Sequence, residues 1–195
     1  MKTERQQEII QVALDLINDK GIQGLTIKNI SKEIGISEPA IYRHFENKID
    51  ILIAILDILK QNARKTFESE FNSNFSSLEK IEHLFSLHFD NFASNPSMIS
   101  VIFSEELFRG EPQLINKITE VIDKNAVILT KIIKQGQQNN EIRDDVSADH
   151  LAVMVMGTLR LFVKIWQFSG HRFDVKSDGK DLIESVKKVI KKDCP

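Results

Sequence analysis

Cysteine is nearly absent from this chain of 195 residues. The single one, Cys194, leaves no material for a disulfide framework or a cysteine-ligated metal cluster, and it fits a reducing compartment. Glycine (8 residues) and proline (4) are also scarce, which excludes collagen-like and low-complexity architectures and any Gly-rich phosphate cradle. Charge of one sign is lacking too. The formal net charge of −2 predicts no strong general attraction to nucleic acid. No uncharged apolar run reaches the roughly 18 residues that a bilayer crossing needs. The start, Met1-Lys2-Thr3-Glu4-Arg5-Gln6, does not read as a signal peptide. A cytoplasmic protein without a membrane partner is expected.

What remains is a chain with 42% hydrophobic and 28% charged residues, enough to build a sizeable core. Its apolar residues recur at three- and four-residue spacing almost throughout, the signature of an all-α fold. Ile9, Ile10, Ala13, Leu16 and Ile17 give a first helix that stops near Gly21. Ile27, Ile30 and Ile34 mark a short second one, capped by Thr26 and ended by Gly35. A very short third helix follows Ser37 as its cap. Asn47 opens a long fourth, with Ile49, Leu52, Ile53, Leu56 and Leu59 inward. Further helices are expected over 77–94, 96–109, 112–138, 147–169 and 178–192, about nine in all. Pro96 and Pro112 fall in first turns, where proline is tolerated, and Ser147 is placed to cap. The chain divides into an N-terminal three-helix module, 1–48, and a C-terminal helical bundle, 49–195, joined by the long fourth helix.

The informative stretch runs from Thr26 to Phe45 and reads helix, tight turn, helix. Gly35 supplies a left-handed backbone, Ile36 plugs the angle between the helices, and Ile41 and Phe45 face inward with Ile30 and Ile34. Glu38, Ala40, Tyr42, Arg43 and His44 are left pointing outward or sideways. A helix of this length has no stability alone. It makes sense if its exposed face enters a DNA major groove.

Over residues 5–55 the chain resembles the TetR family of bacterial transcriptional regulators. The residues that carry the resemblance are the stripe ending at Gly21, Gly24 before Thr26, Gly35-Ile36-Ser37, Ile41-Tyr42-Arg43-His44-Phe45, and Lys48 before Leu52. The resemblance implies a homodimer that binds a palindromic double-stranded operator and is released when a small hydrophobic effector enters the bundle. It implies DNA contacts from Thr26 and Lys28, phosphate anchoring by Tyr42, His44 and Lys48, and base proximity for Glu38, Pro39, Ala40 and Arg43. Arg43 can fork to guanine, whereas Glu38 accepts a hydrogen bond either from cytosine or from Arg43. Lys2 and Arg5 fit either an arm on DNA or a solvated terminus. The same fold also serves an activator or an effector-independent DNA-binding factor.

The bundle is rich in rings and methionines. Phe85, His88, Phe89, Phe92, Phe103, Met154 and Trp166 are the candidate lining of an apolar effector pocket, though each also suits a plain core. Glu105, Glu106 or Arg160, with His88, could give it a polar end. Met156, Gly157, Val163, Leu182, Val186 and Val189, on the last two helices, are the candidate dimer interface. The alternative is that the last helix only covers its own subunit, with Lys187, Lys188, Lys191 and Lys192 on a solvated face. His83 and His88, five apart, do not share a helical face as metal ligands would, and no nucleophile accompanies Asp149-His150. No metal, cofactor or enzymatic activity is expected.

Overall fold

A computed structural model describes residues 2–192, apart from the side chains of Glu105 and Glu106. Those two candidates, and Cys194, lie outside the described residues. The elements are α1 (Glu4–Lys20), a single 3-10 turn (Ile22–Gly24), α2 (Ile27–Ile34), α3 (Glu38–Tyr42), α4 (Lys48–Phe71), α5 (Ser77–Ser94), α6 (Pro96–Ile102), α7 (Glu105–Phe108), α8 (Pro112–Gln138), α9 (Ala148–Phe168) and α10 (Val175–Ile190). Among the described residues there is no strand, only an isolated bridge between Ile142 and Lys191.

The ends of these helices follow from local chemistry. Thr3 and Gln6 form a reciprocal capping box at α1, each accepting the other's backbone N–H. Asn47 Oδ1 accepts from the Asp50 N–H at the start of α4, and Ser147 Oγ accepts from His150 at the start of α9. Three features differ from the sequence reading. The stretch 96–109 is two helices, because Ser104 Oγ takes the Leu107 N–H and starts a new turn there. The last helix begins at Val175 rather than near 178, because Asp174 caps it through the Lys176 N–H. Ser37 sits at the start of α3 without a side-chain cap; its carbonyl accepts from Ala40 instead.

The chain packs as two compact units, Met1–Lys60 with Asn95–Glu120, and Gln61–Ser94 with Val121–Pro195. The first unit thus takes in the first half of α4 and residues 95–120 in addition to residues 1–48. In the first unit Ile9, Ala13 and Ile17 of α1, Leu25, Ile30, Ile41 and Phe45 share one core with Ile51, Leu52, Ile55 and Leu56 of α4 and with Val101, Leu114 and Ile118. The first half of α4 is buried on more than the single stripe expected, as a helix packed on several sides must be. Two ion pairs tie it to α8 within this unit, Asp57 to Lys117 at 2.8 Å and Lys60 to Glu120 at 2.6 Å.

In the second unit Ile81, Leu84, Phe85 and Phe89 of α5 are buried, as are Leu129 and Ile133 of α8, Leu151, Val155, Val163 and Trp166 of α9, and Ile183 and Ile190 of α10. Two glycines permit close approach: a Cβ at Gly136 would lie 2.8 Å from Ser77 Cβ, and one at Gly179 would overlap the Phe89 ring. The terminal lysines are not simply solvated. Lys187 Nζ reaches Glu82 at 2.6 Å and Glu184 at 2.8 Å, and Lys192 reaches Asp144 at 2.9 Å. The carboxylate partners hold the Lys187 ammonium above its usual pKa.

Because the Phe89 ring occupies the space beside Gly179, Gly179→Ala is expected to destabilise the protein by about 1–3 kcal/mol. Ser177→Ala, on the exposed first turn of α10, is expected to change stability by less than ~0.5 kcal/mol. Urea denaturation followed by circular dichroism checks the pair.

Candidate nucleic-acid interface and ligand cavity

In the first unit the segment from Thr26 to Lys48 is built around a left-handed residue. Thr26 Oγ accepts from the Asn29 N–H at 3.1 Å, and the Asn29 side-chain amide donates to the Gly24 carbonyl at 2.8 Å, so both ends of the turn into α2 are fixed. At its other end Gly35 adopts φ 76°, ψ 30°. The N–H groups of Gly35 and Ile36 both reach the Ser31 carbonyl at 3.0 Å. A residue with a Cβ would hold that backbone at a cost of roughly 1 kcal/mol or more. The chain then turns straight into α3, whose five residues are pinned from below by Ile41 and Phe45.

That anchoring decides what faces out. Glu38, Pro39 and Arg43 are exposed and Tyr42 is 50% accessible, while Ala40 and His44 are half-buried. The His44 carbonyl accepts a 3.4 Å hydrogen bond from the Gln6 amide, which ties the end of α3 to the start of α1. Thr26 and Lys28 are exposed at the start of α2, and Lys48 at the start of α4. Among the described residues, Lys28, Arg43 and Lys48 form no ion pair, and Glu38 does not take up Arg43. Their positive charge is left to solvent or to a ligand. Asp15 and Asp19 are also exposed, on α1.

The second unit contains a cavity of about 20 Å³ lined by Phe67, Ile81, Leu84, Phe85, His88, Leu129, Val155, Met156 and Leu159. Eight of the nine lining residues are apolar. His88 is the exception. Its ring stands edge-on between Phe67, with centroids 5.6 Å apart, and Phe92, at 5.9 Å. His88 is not wholly closed off from solvent. Even so, desolvation by its apolar surroundings pulls the imidazole pKa from 6.5 to about 4, so the ring is neutral near pH 7. Phe89 does not line the cavity but packs edge-on against Phe85 and Phe162. Trp166 is buried, with its indole N–H donated to the Phe173 carbonyl at 2.9 Å. Phe103 belongs to the other compact unit.

The long helix α9 is apolar on two faces, and the structure sets their phase. Val155, Val163 and Trp166 are buried. Val153, Met154, Leu161, Ile165 and Phe168 are exposed, Phe168 to 77%, and Gly157 lies among them with open space beyond its Cα. Two residues along a helix turn the side chain by about 200°. Met154 therefore points out and Met156 lines the cavity, the reverse of the sequence reading. Val163 is turned inward in the same way, which corrects its place in the candidate interface. On α10, Val189 is exposed while Leu182 and Val186 are half-buried. By length and composition α9 alone among the described helices is long and apolar enough to cross a membrane. The described residues contain no group of three metal-ligating side chains.

A short, exposed helix held across a left-handed turn on a small helical core defines a helix-turn-helix protein. The match to known proteins is more specific. Residues 9–55 fit the model of bacterial regulatory proteins of the tetR family, and residues 59–191 fit that of the C-terminal region of YsiA-like proteins. The chain belongs to the TetR family and is a transcriptional regulator. It is 25% identical to the fatty acid metabolism regulator protein of Bacillus subtilis over 183 residues, 94% of either chain. Its fold is that of the fatty acid degradation regulator FadR from Bacillus halodurans (TM-score 0.85, 22% identity, 96% of each chain covered). It is also that of FadR from Bacillus subtilis, solved in complex with stearoyl-CoA (TM-score 0.82, 24% identity, 94% of this chain and 98% of that one).

Sequence reasoning missed Phe67, Ile81, Leu84, Leu129, Val155 and Leu159 as cavity residues. Apart from Phe67 they are aliphatics with a helical period, indistinguishable from ordinary core until the helices are packed.

A histidine kept neutral in the folded state binds its proton more readily once unfolded. Between pH 6.5 and about 4 the unfolded chain holds more protons at His88, so stability falls as the pH drops through that window and the loss levels off below it. His88→Phe is expected to remove this share of the acid sensitivity. Relative to the parent it should gain on the order of 2 kcal/mol between pH 7 and pH 4. Urea titrations of both proteins at a series of pH values measure the difference, in which the shared titration of Asp144, Asp145 and Glu184 cancels.

Proposed function

We propose that this regulator is a cytoplasmic homodimeric repressor that binds a palindromic operator through residues 1–48 and leaves it when a long-chain acyl thioester enters the bundle of residues 49–195. The observation that carries the DNA-binding half is the exposure of Tyr42 and Arg43 at the end of α3, where Ile41 and Phe45 are sunk in the core, flanked by exposed Lys28 and Lys48. In this reading Arg43 forks to guanine O6 and N7, and Ala40 meets a thymine methyl. Thr26, Tyr42, His44 and Lys48 hold phosphates, the last beside the free N–H groups of the α4 N-terminus. Glu38 and Pro39 lie against the base edges.

The acyl effector is supported by the apolar cavity and by the relatives, one named for fatty acid metabolism and one solved with stearoyl-CoA. A pocket for a ligand of that size spans ~300 Å³ or more, so a cavity of about 20 Å³ has to expand as the chain enters. Phe67, which lines it, and Lys48 stand on the same helix, α4. Displacement of Phe67 is thus transmitted along one continuous element towards the DNA face. With half-sites about 34 Å apart, a shift of a few ångströms between two reading heads ends simultaneous engagement. An effector that binds the released state more tightly than the DNA-bound one shifts the population accordingly.

The twin subunit is assigned to the exposed face of α9 (Val153, Leu161, Ile165, Phe168) with Val189 of α10, and Gly157 lets two such helices approach closely. Lipid is a poorer cover. The opposite side of α9 is already spent on the subunit's own core, and Arg160 and Lys164 stand midway along it.

In fluorescence anisotropy with the DNA upstream of its own gene, the protein is expected to bind as a dimer with a steep salt dependence. Arg43→Ala should weaken binding by 1–3 kcal/mol, about 5- to 150-fold. Hexadecanoyl-CoA should release the DNA. No retention of any palindromic fragment at low salt refutes the reading. Leu161→Glu, at an exposed site of the subunit, should leave the helical content intact and yield monomers in analytical ultracentrifugation. A dimer unchanged by it refutes the assigned face.

A further inference from the structure

His88 is the only polar side chain in the cavity wall, and among the described residues its ring meets only the rings of Phe67 and Phe92 by aromatic contact. Among the described residues neither of its ring nitrogens takes part in a hydrogen bond; its neighbours on either side are the edges of Phe67 and Phe92. A neutral imidazole carries one N–H donor and one lone-pair acceptor. Packing alone does not call for it, since a phenylalanine would fill the same place between two rings. No lysine or arginine lines the cavity, so a buried carboxylate would find no cation to balance it there. The same wall suits an uncharged oxygen on an otherwise apolar chain.

From this juxtaposition we infer that His88 is the polar anchor of the effector site, donating its ring N–H to an uncharged carbonyl oxygen, as a thioester presents, and so favouring acyl thioesters over free fatty acid anions. The inference rests on the acyl-effector reading above and deepens it. Either form of the ring can donate an N–H, but desolvation keeps it uncharged at neutral pH, so the site offers a donor without a buried positive charge that would attract a carboxylate. The apolar remainder of the wall contributes binding but little discrimination between ligands of the same chain length, because it meets only methylene groups.

The test uses the full-length dimer and isothermal titration calorimetry with three probes: hexadecanoyl-CoA, its S-hexadecyl thioether analogue, which lacks only the carbonyl oxygen, and hexadecanoate. The parent protein should prefer the thioester over the thioether by roughly five- to ten-fold, the worth of one hydrogen bond. Hexadecanoate should bind more weakly than the thioester. In His88→Phe the thioester/thioether ratio should fall to about one while thioether affinity is kept, and His88→Gln, which restores an N–H donor, should recover part of it. Each ratio is measured within one protein, so a general loss of stability does not imitate the effect. Equal affinity of the parent for thioester and thioether, a ratio that survives His88→Phe, or hexadecanoate binding as tightly as the thioester overturns the assignment of His88. Binding of none of the three overturns the acyl-effector reading as well, which separates the two failures.

Discussion

A helix of five residues cannot hold itself together, and the DNA-facing surface of this protein depends on that weakness being offset from below. Nucleating a helical turn fixes several residues for a single hydrogen bond, so α3 exists only because Ile41 and Phe45 are committed to a core that also contains Ile30 and Ile17. The left-handed Gly35 sets the angle at which the chain enters α3, and the Gln6–His44 bond fixes where it leaves. Once those points are set, Tyr42 and Arg43 have no way to turn inward. In the proposed reading the shortness of the helix is useful: little besides Tyr42 and Arg43 is carried at its end, so few other side chains stand between them and a groove.

The charge balance makes the same point in another form. Residues 1–50 carry one more acidic than basic group, and the whole chain is mildly acidic. A sum of this kind predicts nothing about a contact surface, because screening limits each charge to roughly 8 Å at physiological ionic strength. Placement decides. Lys20 is engaged by Glu33 and Arg5 by Glu8, whereas Lys28, Arg43 and Lys48 are left without a protein counter-ion among the described residues. A weak overall field limits non-specific attraction, which leaves more of any binding to geometry and, in the proposed dimer, to the pairing of two subunits.

The sequence made the N-terminal helices legible because their ends carry chemistry: Thr26 and Asn47 as caps, Gly21 and Gly35 as stops, each tied to one backbone conformation. The bundle carried fewer such marks. Ser104 acted as a start where the apolar period ran on through 98–108, and Asp174 where residues 176–181 carry no apolar side chain to show a period, so the break at 103–104 and the earlier start of α10 went unread. The harder case was α9. A helix that is apolar on two faces does not show from its own sequence which of them meets the core, and an error of two residues exchanges inside for outside. Met154 and Met156 changed places in this way, and Val163 with them. The side that faces the core depends on partners such as Phe85 and Phe89, which are distant in sequence.

The same packing bears on the effector response proposed above. A core packed to crystal density around rigid aliphatics resists an entering chain, since every displaced side chain must find a new rotamer. Here the wall mixes ring edges with Met156, whose flexible thioether adapts to changed volume, and it surrounds a residual gap rather than a sealed interior. In the inference drawn above, His88 finds its hydrogen-bond partner in the ligand, since no protein group among the described residues bonds to its ring. A ligand that supplies that partner gains the bond only in the state that holds it. Differential stabilisation of this kind, and not tightness of binding as such, is what moves a two-state equilibrium.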